Sequence, residues 1–358
     1  MKIRTKLSIR KHAPVIHGGR PPLTNHQIID FSSNISPIGI PSSVKKILKK
    51  NIDNIRYYPD FSSSSVISSL KKYTQYEESN ILVGNGAIEI IYNFCFAFLS
   101  KKTKVLIPIP TFQEYETAAK LNDCVISYFK TMNLSENLDS FISQIPKNGC
   151  IFICNPNNPT GKLLPKNQLF EIIKKAKKLS TFVFVDECFI EMVPDSNESV
   201  ISYVKKYDNL FVLRSLTKSF ALSGMRIGYA IASKQMIEIL QKIKIPWSVN
   251  SLAQDAATSA LKTQSHLIKS NLVIKNELNY LTNKINRLNG FTCINSSTNF
   301  ILIKTKKDST KLQKKLLEQN ILVRDCKNFR GLNNHFIRIA VKSHKDNLKL
   351  VKALENLQ

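Results

Sequence analysis

The segment 212–229 concentrates side chains that could hold a cofactor between two apolar runs. It contains one lysine, Lys218, close in sequence to Ser215, Thr217 and Arg226. A lysine amine condenses with an aldehyde, and an arginine with neighbouring hydroxyls binds a phosphate. A molecule that carries both groups, such as pyridoxal phosphate, would suit this segment. The simpler alternative is that Lys218 is one of many solvated lysines, so the rest of the sequence has to decide.

Length and charge bound the possible functions. A chain of 358 residues, 43% hydrophobic, can form a large core and two closely packed lobes. Lysine and arginine outnumber aspartate and glutamate by 52 to 26. This excess of positive charge would suit binding to nucleic acid, to a membrane surface or to anionic substrates. The basic residues are scattered through predicted helices, so solvated helix faces and a small anionic substrate are favoured. We expect no nucleic-acid or membrane partner, and keep a basic nucleic-acid-binding protein as the rival of another class.

The cysteines indicate a reducing compartment. The chain has seven, an odd number, without a Cys-x-x-Cys pair. Cys150 and Cys154 lie on one face of a predicted strand with no histidine nearby in sequence, so core packing is favoured over a metal site. The N-terminus lacks the apolar run of a signal peptide, and polar residues interrupt the most apolar stretch, 81–99. These observations predict a cytoplasmic protein without a metal.

Short apolar runs separated by helical patterns predict a largely parallel sheet covered on both faces. The runs are 105–107, 150–154, 182–186, 211–213 and 229–232. Ligands bind at the carboxyl ends of strands in such sheets. The polar loop 155–161 follows one run, Asp186 ends another, and Lys218 follows a third. The sequence therefore predicts one site at this edge of the sheet.

The remaining segments predict three regions. Residues 1–40 carry loop sequences and a short strand near 28–31 and are expected to cover the site; 41–250 form the large domain and 251–358 a small α/β domain. An extended segment ending at Gly84 leads through Gly86 into a helix, whose first amides could bind a phosphate. Glu89 stands where the third glycine of a dinucleotide-binding fingerprint would be, so that function is not expected.

With Asn158, Asp186, Lys218 and Arg226 in this order, the chain resembles the fold-type I pyridoxal-phosphate enzymes of the class I and II aminotransferase group. The resemblance covers essentially the whole chain. Within that group it is most similar to the threonine-phosphate decarboxylases of cobalamin biosynthesis, and next to the histidinol-phosphate aminotransferases. The motifs that carry it are His17-Gly-Gly19, Asp30-Phe-Ser-Ser-Asn34, Tyr58-Pro-Asp60, Asn155-Pro-Asn-Asn-Pro-Thr-Gly161, Asp186-Glu-Cys-Phe-Ile190, Arg214-Ser-Leu-Thr-Lys218 and Pro246-Trp-Ser-Val-Asn250.

The resemblance implies a mainly parallel seven-stranded sheet in the large domain, a smaller α/β domain and pyridoxal phosphate bound to Lys218. It implies that Asp186 faces the ring nitrogen, Asn158 the ring oxygen, and that Phe112 stacks on the ring. Taken singly, these residues could be a helix cap, a turn residue and a core aromatic. The implied phosphate site comprises Gly86, Ala87, Ser215, Thr217 and Arg226, with Tyr58 reaching it from the partner subunit of a homodimer.

For the substrate, the resemblance nominates His17, Gly18, Asn34, Asn158, Arg324 and Arg338. A phosphorylated amino acid carries a carboxylate and a phosphate, which suits two arginines. The sequence leaves open which arginine binds which anion. For Arg338, the alternative is a solvent-facing strand arginine.

The expected reaction is decarboxylation of L-threonine O-3-phosphate to (R)-1-amino-2-propanol phosphate. The same residues could run the transamination of a histidinol-phosphate aminotransferase, because the orientation of the substrate selects the bond that breaks. Two positions depart from the wider group. Phe189 stands where many aminotransferases have tyrosine, and the threonine-phosphate decarboxylases also have phenylalanine there. Cys188 replaces an alanine.

Overall fold

A computed structural model describes residues 5, 7–10, 14–16, 18 and 28–357. Its strands are β1 (Ile29–Asp30), β2 (Ile81–Gly84), β3 (Lys104–Ile109), β4 (Val125–Lys130), β5 (Cys150–Cys154), β6 (Phe182–Asp186), β7 (Leu210–Ser215), β8 (Gly228–Ile231), β9 (Phe291–Cys293), β10 (Phe300–Thr305), β11 (Ile321–Leu322), β12 (Arg324–Asp325) and β13 (Phe336–Ala340). Its α-helices are α1 (Leu7–Arg10), α2 (Ser42–Lys50), α3 (Ser64–Thr74), α4 (Gly86–Phe98), α5 (Glu114–Leu121), α6 (Leu138–Ser143), α7 (Lys166–Lys178), α8 (Leu216–Ser219), α9 (Lys234–Ile243), α10 (Ser251–Leu261), α11 (Gln264–Ile285), α12 (Ser309–Leu317) and α13 (His344–Glu355).

The large lobe is built on a seven-stranded sheet in the order β2-β8-β7-β6-β5-β3-β4. Strands β3 to β7 run parallel to their neighbours within that set, and β8 runs antiparallel to both β7 and β2. This architecture confirms the predicted mainly parallel, seven-stranded sheet. The carboxyl ends of β5, β6 and β7 therefore lie side by side.

Burial on both faces explains why the central strands are apolar throughout. In β5, Ile151 and Ile153 pack into one core, and Cys150, Phe152 and Cys154 pack into the core on the opposite face. Both Cys150 and Cys154 are thus core residues, as predicted. All seven cysteines are free thiols.

The small lobe contains a four-stranded antiparallel sheet in the order β12-β13-β10-β9. Residues of α11, α12 and α13 share its apolar core, which includes Ile301, Ile339 and Leu350. Within the described residues, no helix combines the length and apolarity needed to cross a bilayer.

The N-terminal segment is anchored to the small lobe. Strand β1 pairs in parallel with β11, with Ile29 opposite Ile321. The Phe31 N–H donates to Leu322 O at 2.8 Å, and the Ala340 N–H donates to Phe31 O at 2.8 Å. The fully buried Phe31 ring joins the small-lobe core. The short strand predicted near 28–31 is confirmed, and it carries the chain to the site.

Helix α10 packs with the large lobe. It lies against α2 and α3, and its residues Ala253, Ala257 and Ala260 share a core with Val44 and Leu70. The sequence placed this helix in the small domain, after residue 250. We propose that the boundary between the lobes lies after α10.

Candidate active site

A cavity of about 350 Å³ lies at the carboxyl ends of β5, β6 and β7, between the two lobes. Three chain regions that are distant in sequence converge there, because the polar residues following these strands meet at one sheet edge. The sequence-predicted residues in its wall are Gly18, Asn34, Ala87, Phe112, Asn158, Asp186, Ser215, Thr217, Lys218, Arg226, Arg324 and Arg338.

Of the three other predicted residues, Gly86 and Tyr58 are not among the described residues that line the cavity. His17 lies outside the described residues. Gly86 lies directly beneath the guanidinium of Arg226. Tyr58 is 83% exposed and packs on Trp247, with 5.0 Å between ring centroids.

Asp186 is the last residue of β6 and is only 4% exposed. Its Oδ2 accepts a hydrogen bond from the Tyr115 hydroxyl at 2.6 Å, and its Oδ1 accepts one from the Cys188 N–H at 2.9 Å. Burial raises the pKa of Asp186, while these two donors and the Lys218 charge oppose the rise. The next residue, Glu187, points away and pairs with Arg214 at 3.0 Å. Strand alternation thus leaves Asp186 alone to face the cavity.

The loop after β5 is held by its own asparagines. Asn155 Nδ2 donates to Leu164 O at 3.0 Å, and the Leu164 N–H donates back to Asn155 Oδ1 at 2.7 Å. Asn157 Nδ2 donates to Pro110 O at 2.9 Å. These bonds fix the loop and leave Asn158 at the cavity, where its Oδ1 accepts from Arg338 Nη1.

The lysine loop begins with a helix cap. Ser215 Oγ lies 2.6 Å from Thr217 Oγ1 and accepts from the Thr217 N–H at 3.3 Å, which starts α8. The Ser36 N–H donates to Lys218 O at 2.9 Å, so the N-terminal segment also fixes this turn. Burial lowers the pKa of Lys218, which increases the neutral fraction of its amine.

The N-terminus of α4 lies at the cavity, which Ala87 and Ile88 line. A Cβ on Gly86, whose φ is +77°, would lie 2.6 Å from Arg226 Nη2. A Cβ on Gly228 would lie 2.8 Å from the Ala87 nitrogen. Both positions therefore require glycine for the close approach of β8, Arg226 and the helix start. The first amides of a helix lack intrahelical partners, so amides and guanidinium together suit a phosphate.

Arg324 and Arg338 form the opposite wall and come from neighbouring strands of the small lobe. Arg338 Nη2 donates to Ser32 O at 2.8 Å. Arg324 Nη2 donates to Ile16 O at 2.7 Å and to Asn328 Oδ1 at 2.8 Å. Burial lowers the pKa of Arg338 to about 10 and also lowers that of Arg324. Both arginines are therefore desolvated cations held in place mainly by neutral acceptors.

Two buried polar atoms at the cavity have no hydrogen-bond partner among the described residues. They are Arg338 Nε and Asn34 Oδ1. Buried polar groups are almost always paired, so unsatisfied donors and acceptors on a cavity wall indicate a ligand. A guanidinium N–H and an amide oxygen require a ligand with both acceptors and donors.

The sequence analysis missed three residues at the site: Gln113 lines the cavity, and Tyr115 and Asn328 contact residues that line it. Tyr115 is fully buried and contacts Asp186. The sequence feature that could have identified it is its position three residues after Phe112, at the start of α5. Asn328 Nδ2 donates to Ile16 O at 3.0 Å, and Gln113 Nε2 donates to Asn328 O at 2.5 Å. These residues connect the large lobe, the small lobe and the N-terminal segment, and no local motif marks Asn328.

Comparison with known proteins identifies the family. The family model for aminotransferase class I and II matches residues 26–355. The chain belongs to this family. The resemblance found in the motifs and the fold-type I architecture are thereby confirmed.

The relatives fall into two groups. A protein of Caldanaerobacter subterraneus subsp. tengcongensis, provisionally named a threonine-phosphate decarboxylase, is 36% identical over 97% of this chain and 95% of its own length. A histidinol-phosphate aminotransferase of Methanococcus aeolicus is 31% identical over 92% of this chain and 90% of its own. The crystal structure of L-threonine-O-3-phosphate decarboxylase from Porphyromonas gingivalis covers 92% of this chain and 99% of its own, with a TM-score of 0.84 and 28% identity.

The cavity fits pyridoxal phosphate, the cofactor of this family. The buried Asp186 carboxylate suits a protonated ring nitrogen, and the Lys218 amine suits an aldehyde. The α4 N-terminus with Arg226 suits a phosphate, and the glycines there exclude side chains. Arg324 and Arg338 line the cavity and take no part in this fit.

Proposed function

We propose that this protein decarboxylates L-threonine O-3-phosphate to (R)-1-amino-2-propanol phosphate, with pyridoxal phosphate as cofactor, for the aminopropanol side chain of cobalamin. The observation that carries the substrate class is the buried pair Arg324 and Arg338 on the wall opposite the cofactor anion site. A phosphorylated amino acid presents a carboxylate and a phosphate, and arginine binds both in a bidentate way. Similarity to threonine-phosphate decarboxylases supports the choice of reaction.

The cofactor contacts follow from the cavity. Bound pyridoxal phosphate supplies an electron sink for the charge left on the substrate α-carbon when a bond to it breaks. Asp186 holds a proton at the ring nitrogen, and Lys218 transfers a proton at the α-carbon. Asn158 donates to the ring oxygen and Phe112 covers one face of the ring. Gly86, Ala87, Ser215, Thr217 and Arg226 bind the phosphate.

We assign the two substrate anions from the neighbours of each arginine. Arg338 donates to Asn158, and its charge contributes to the lowered pKa of Lys218, so it lies on the side of the reacting carbon. Arg324 contacts Ile16 and lies against Gly18, farther along the N-terminal segment. Arg338 therefore binds the carboxylate, and Arg324 binds the phosphate together with His17, Gly18 and Asn34.

A second candidate reaction is the transamination of histidinol phosphate. Histidinol-phosphate aminotransferases cover as much of the chain at similar identity, which favours retaining this candidate. The same Lys218 would then remove a proton from the α-carbon instead of returning one after carbon dioxide leaves.

The deciding experiment measures carbon dioxide release from L-threonine O-3-phosphate, with histidinol phosphate plus 2-oxoglutarate in parallel. We expect decarboxylation that needs no keto-acid acceptor and that is lost in Lys218→Ala. Glutamate formation in the parallel reaction without carbon dioxide would replace the proposed reaction by transamination. Full turnover by Lys218→Ala would contradict the role of this lysine in either reaction.

We further propose a homodimer in which Tyr58 reaches the cofactor phosphate of the partner subunit. Tyr58 is too exposed to contribute to its own cavity, and with Phe61 and Trp247 it forms an exposed aromatic patch. Mixing Lys218→Ala and Tyr58→Ala chains tests this arrangement. A mixed dimer would contain one intact site, so activity should appear on mixing; if none appears after demonstrated subunit exchange, Tyr58 acts elsewhere.

The partners and compartment follow from the same proposal. The cavity suits a small anionic substrate, and the basic residues need no nucleic acid to explain them. The seven free thiols suit a reducing cytoplasm. Salt-sensitive binding of the holoenzyme to DNA would contradict this part of the proposal.

A further inference from the structure

Tyr115 on α5 contacts Asp186, the residue proposed to face the ring nitrogen of the cofactor. The Tyr115 hydroxyl lies 2.6 Å from Asp186 Oδ2, and the tyrosine is fully buried. Its ring stacks on Phe152 at 5.3 Å with an interplanar angle of 11°, and contacts Phe112 edge-on at 5.5 Å. Packing on two sides therefore fixes the direction of the hydroxyl.

Four groups that can titrate or donate face Asp186 from the surrounding elements. They are Tyr115 from α5, Cys154 from β5, Cys188 after β6, and Lys218 from α8. Lys218 is the cation among them, and its charge changes when its amine bonds to an aldehyde. The Tyr115 hydroxyl, the Cys188 thiol and the Cys188 N–H then remain as the neutral donors to the carboxylate.

The Tyr115 hydroxyl is suited to donate a hydrogen bond to Asp186 and not to ionise. Burial and the adjacent Asp186 raise the pKa of its phenol well above the ordinary range, so the hydroxyl keeps its proton at neutral pH. A hydroxyl that cannot ionise donates to the charged carboxylate and stabilises that charge. Burial also raises the pKa of Asp186 and so favours its neutral form, which means that the ionised carboxylate depends on its donors.

We propose that Tyr115 is a positioning residue, which orients Asp186 and keeps it ionised so that Asp186 can hold the proton of the cofactor ring nitrogen. The inference rests on the proposed contact of Asp186 with that nitrogen. It is independent of the choice between decarboxylation and transamination, because both reactions need the protonated ring.

The alternative is that Tyr115 only stabilises the core. A matched control lies one helix away, where the Tyr92 hydroxyl donates to Glu114 Oε2 at 2.7 Å. Glu114 precedes Tyr115 in α5, and Tyr92 lies on α4 outside the cavity wall. Tyr92→Phe therefore removes the same kind of hydrogen bond from the same layer without touching Asp186.

The test measures the affinity of the apo-protein for pyridoxal phosphate by equilibrium dialysis between pH 6 and 9, with the absorption spectrum of the bound cofactor across the same range. We expect Tyr115→Phe to lose about tenfold or more in affinity, the size expected for a hydrogen bond to a charged group. The loss should grow as the pH falls, because Asp186 takes up a proton at higher pH without this donor. Tyr92→Phe should match the wild type.

Two further variants show whether a negative result concerns the proposed contact of Asp186 with the cofactor or only the role of Tyr115. Asp186→Asn should weaken binding strongly, and adding Tyr115→Phe to it should cause no further loss. If Asp186→Asn binds like the wild type, the proposed contact with the ring nitrogen is wrong and the inference fails with it. If Asp186→Asn weakens binding but Tyr115→Phe behaves like Tyr92→Phe, only the role of Tyr115 is overturned.

Incorporation of 3-fluorotyrosine at position 115 covers the case in which Tyr115→Phe does not fold. It keeps the ring and the hydroxyl but lowers the pKa of the phenol, which strengthens the bond to Asp186. The pH dependence of cofactor binding should then move to lower pH, opposite to the effect of Tyr115→Phe. An unchanged profile would overturn the proposal.

Discussion

Arg324 and Arg338 occupy directly opposed positions on the antiparallel strands β12 and β13, and both side chains are buried. Like charges opposite one another destabilise a sheet, and burial removes the water that would screen them. The charge of Arg324 contributes to the lowered pKa of Arg338. This wall of the cavity is therefore destabilised by its own charges until an anion binds.

The first prediction is that inorganic phosphate stabilises the protein loaded with pyridoxal phosphate through these two arginines, because the cofactor then fills the proposed phosphate site at Arg226. At a hundred times its dissociation constant a ligand adds about 2.7 kcal/mol to the free energy of unfolding. Thermal unfolding should show this gain in the wild type and a smaller gain in Arg324→Gln and Arg338→Gln.

Arg330→Gln is the control, because Arg330 is already paired with Glu116 at 2.7 Å on the surface of the same lobe. Equal gains in all four proteins would show that phosphate binds elsewhere.

The second prediction concerns the pH dependence of cofactor loading. Burial disfavours the charged amine of Lys218, so the folded protein releases this proton below the ordinary lysine pKa of 10.5. The rate at which the apo-protein incorporates pyridoxal phosphate should rise with pH and level off below that value. Stopped-flow absorbance measures the rate, with N-acetyl-lysine as the reference amine. A midpoint at or above that of N-acetyl-lysine would contradict the lowered pKa.

The third prediction concerns the contact between the loop after β5 and the small lobe. Gly161 has a φ of +71°, and a Cβ there would lie 2.1 Å from Ser296 Oγ. Gly39 has nearly the same φ, +74°, but no atom within 4 Å of its Cβ position. Gly39→Ala should lose about 1–2 kcal/mol of stability from the backbone conformation alone. Gly161→Ala should lose about 1–3 kcal/mol more, from the overlap.

Urea denaturation measures both losses. Adding Ser296→Gly to Gly161→Ala should return its stability to the level of Gly39→Ala, since the conformational cost remains and the overlap is relieved. Equal losses in the two single variants would show that the loop and the small lobe move apart freely.

The fourth prediction concerns Asn328, which binds both Arg324 and the Ile16 carbonyl. Asn328→Ala should raise KM for the phosphorylated substrate roughly fivefold, as expected for about 1 kcal/mol, with little change in kcat. The N-terminal segment should also be cleaved faster by proteases, because Ile16 loses one of its two donors.

Asn334→Ala serves as the comparison, because it removes an exposed bond to Asp308 on the same lobe. If the two alanine variants have the same KM and the same cleavage rate, Asn328 does not position Arg324.

Buried strands were the part of the fold that the sequence predicted best. The bounds of β5 and β6 match the predicted runs because these strands are apolar on both faces or nearly so. The edge strand β4 was missed, since of its residues only Phe129 is buried and Ser127 interrupts its apolar run. The sequence did not predict the packing of α10 on α2 and α3, because an apolar helical face does not specify its partner.

The predicted site residues that follow β5, β6 and β7 could be placed together because parallel strands end at one edge. Contacts between side chains far apart in sequence could not be predicted in the same way. Tyr115 meets Asp186 across 71 residues and Ile16 meets Arg324 across 308. Each depends on helix orientation or lobe packing, which local patterns do not encode.

The parallel pairing of β1 with β11 also fixes the order in which the protein can be completed during synthesis. Ile29 and Phe31 leave the ribosome long before their partners in β11 and β13, which follow about 300 residues later in the chain. At about 5–20 residues per second, this wait is on the order of tens of seconds. The large lobe can fold meanwhile around its own sheet. The cavity wall that contains Arg324 and Arg338 can therefore form only after β11, β12 and β13 have been released.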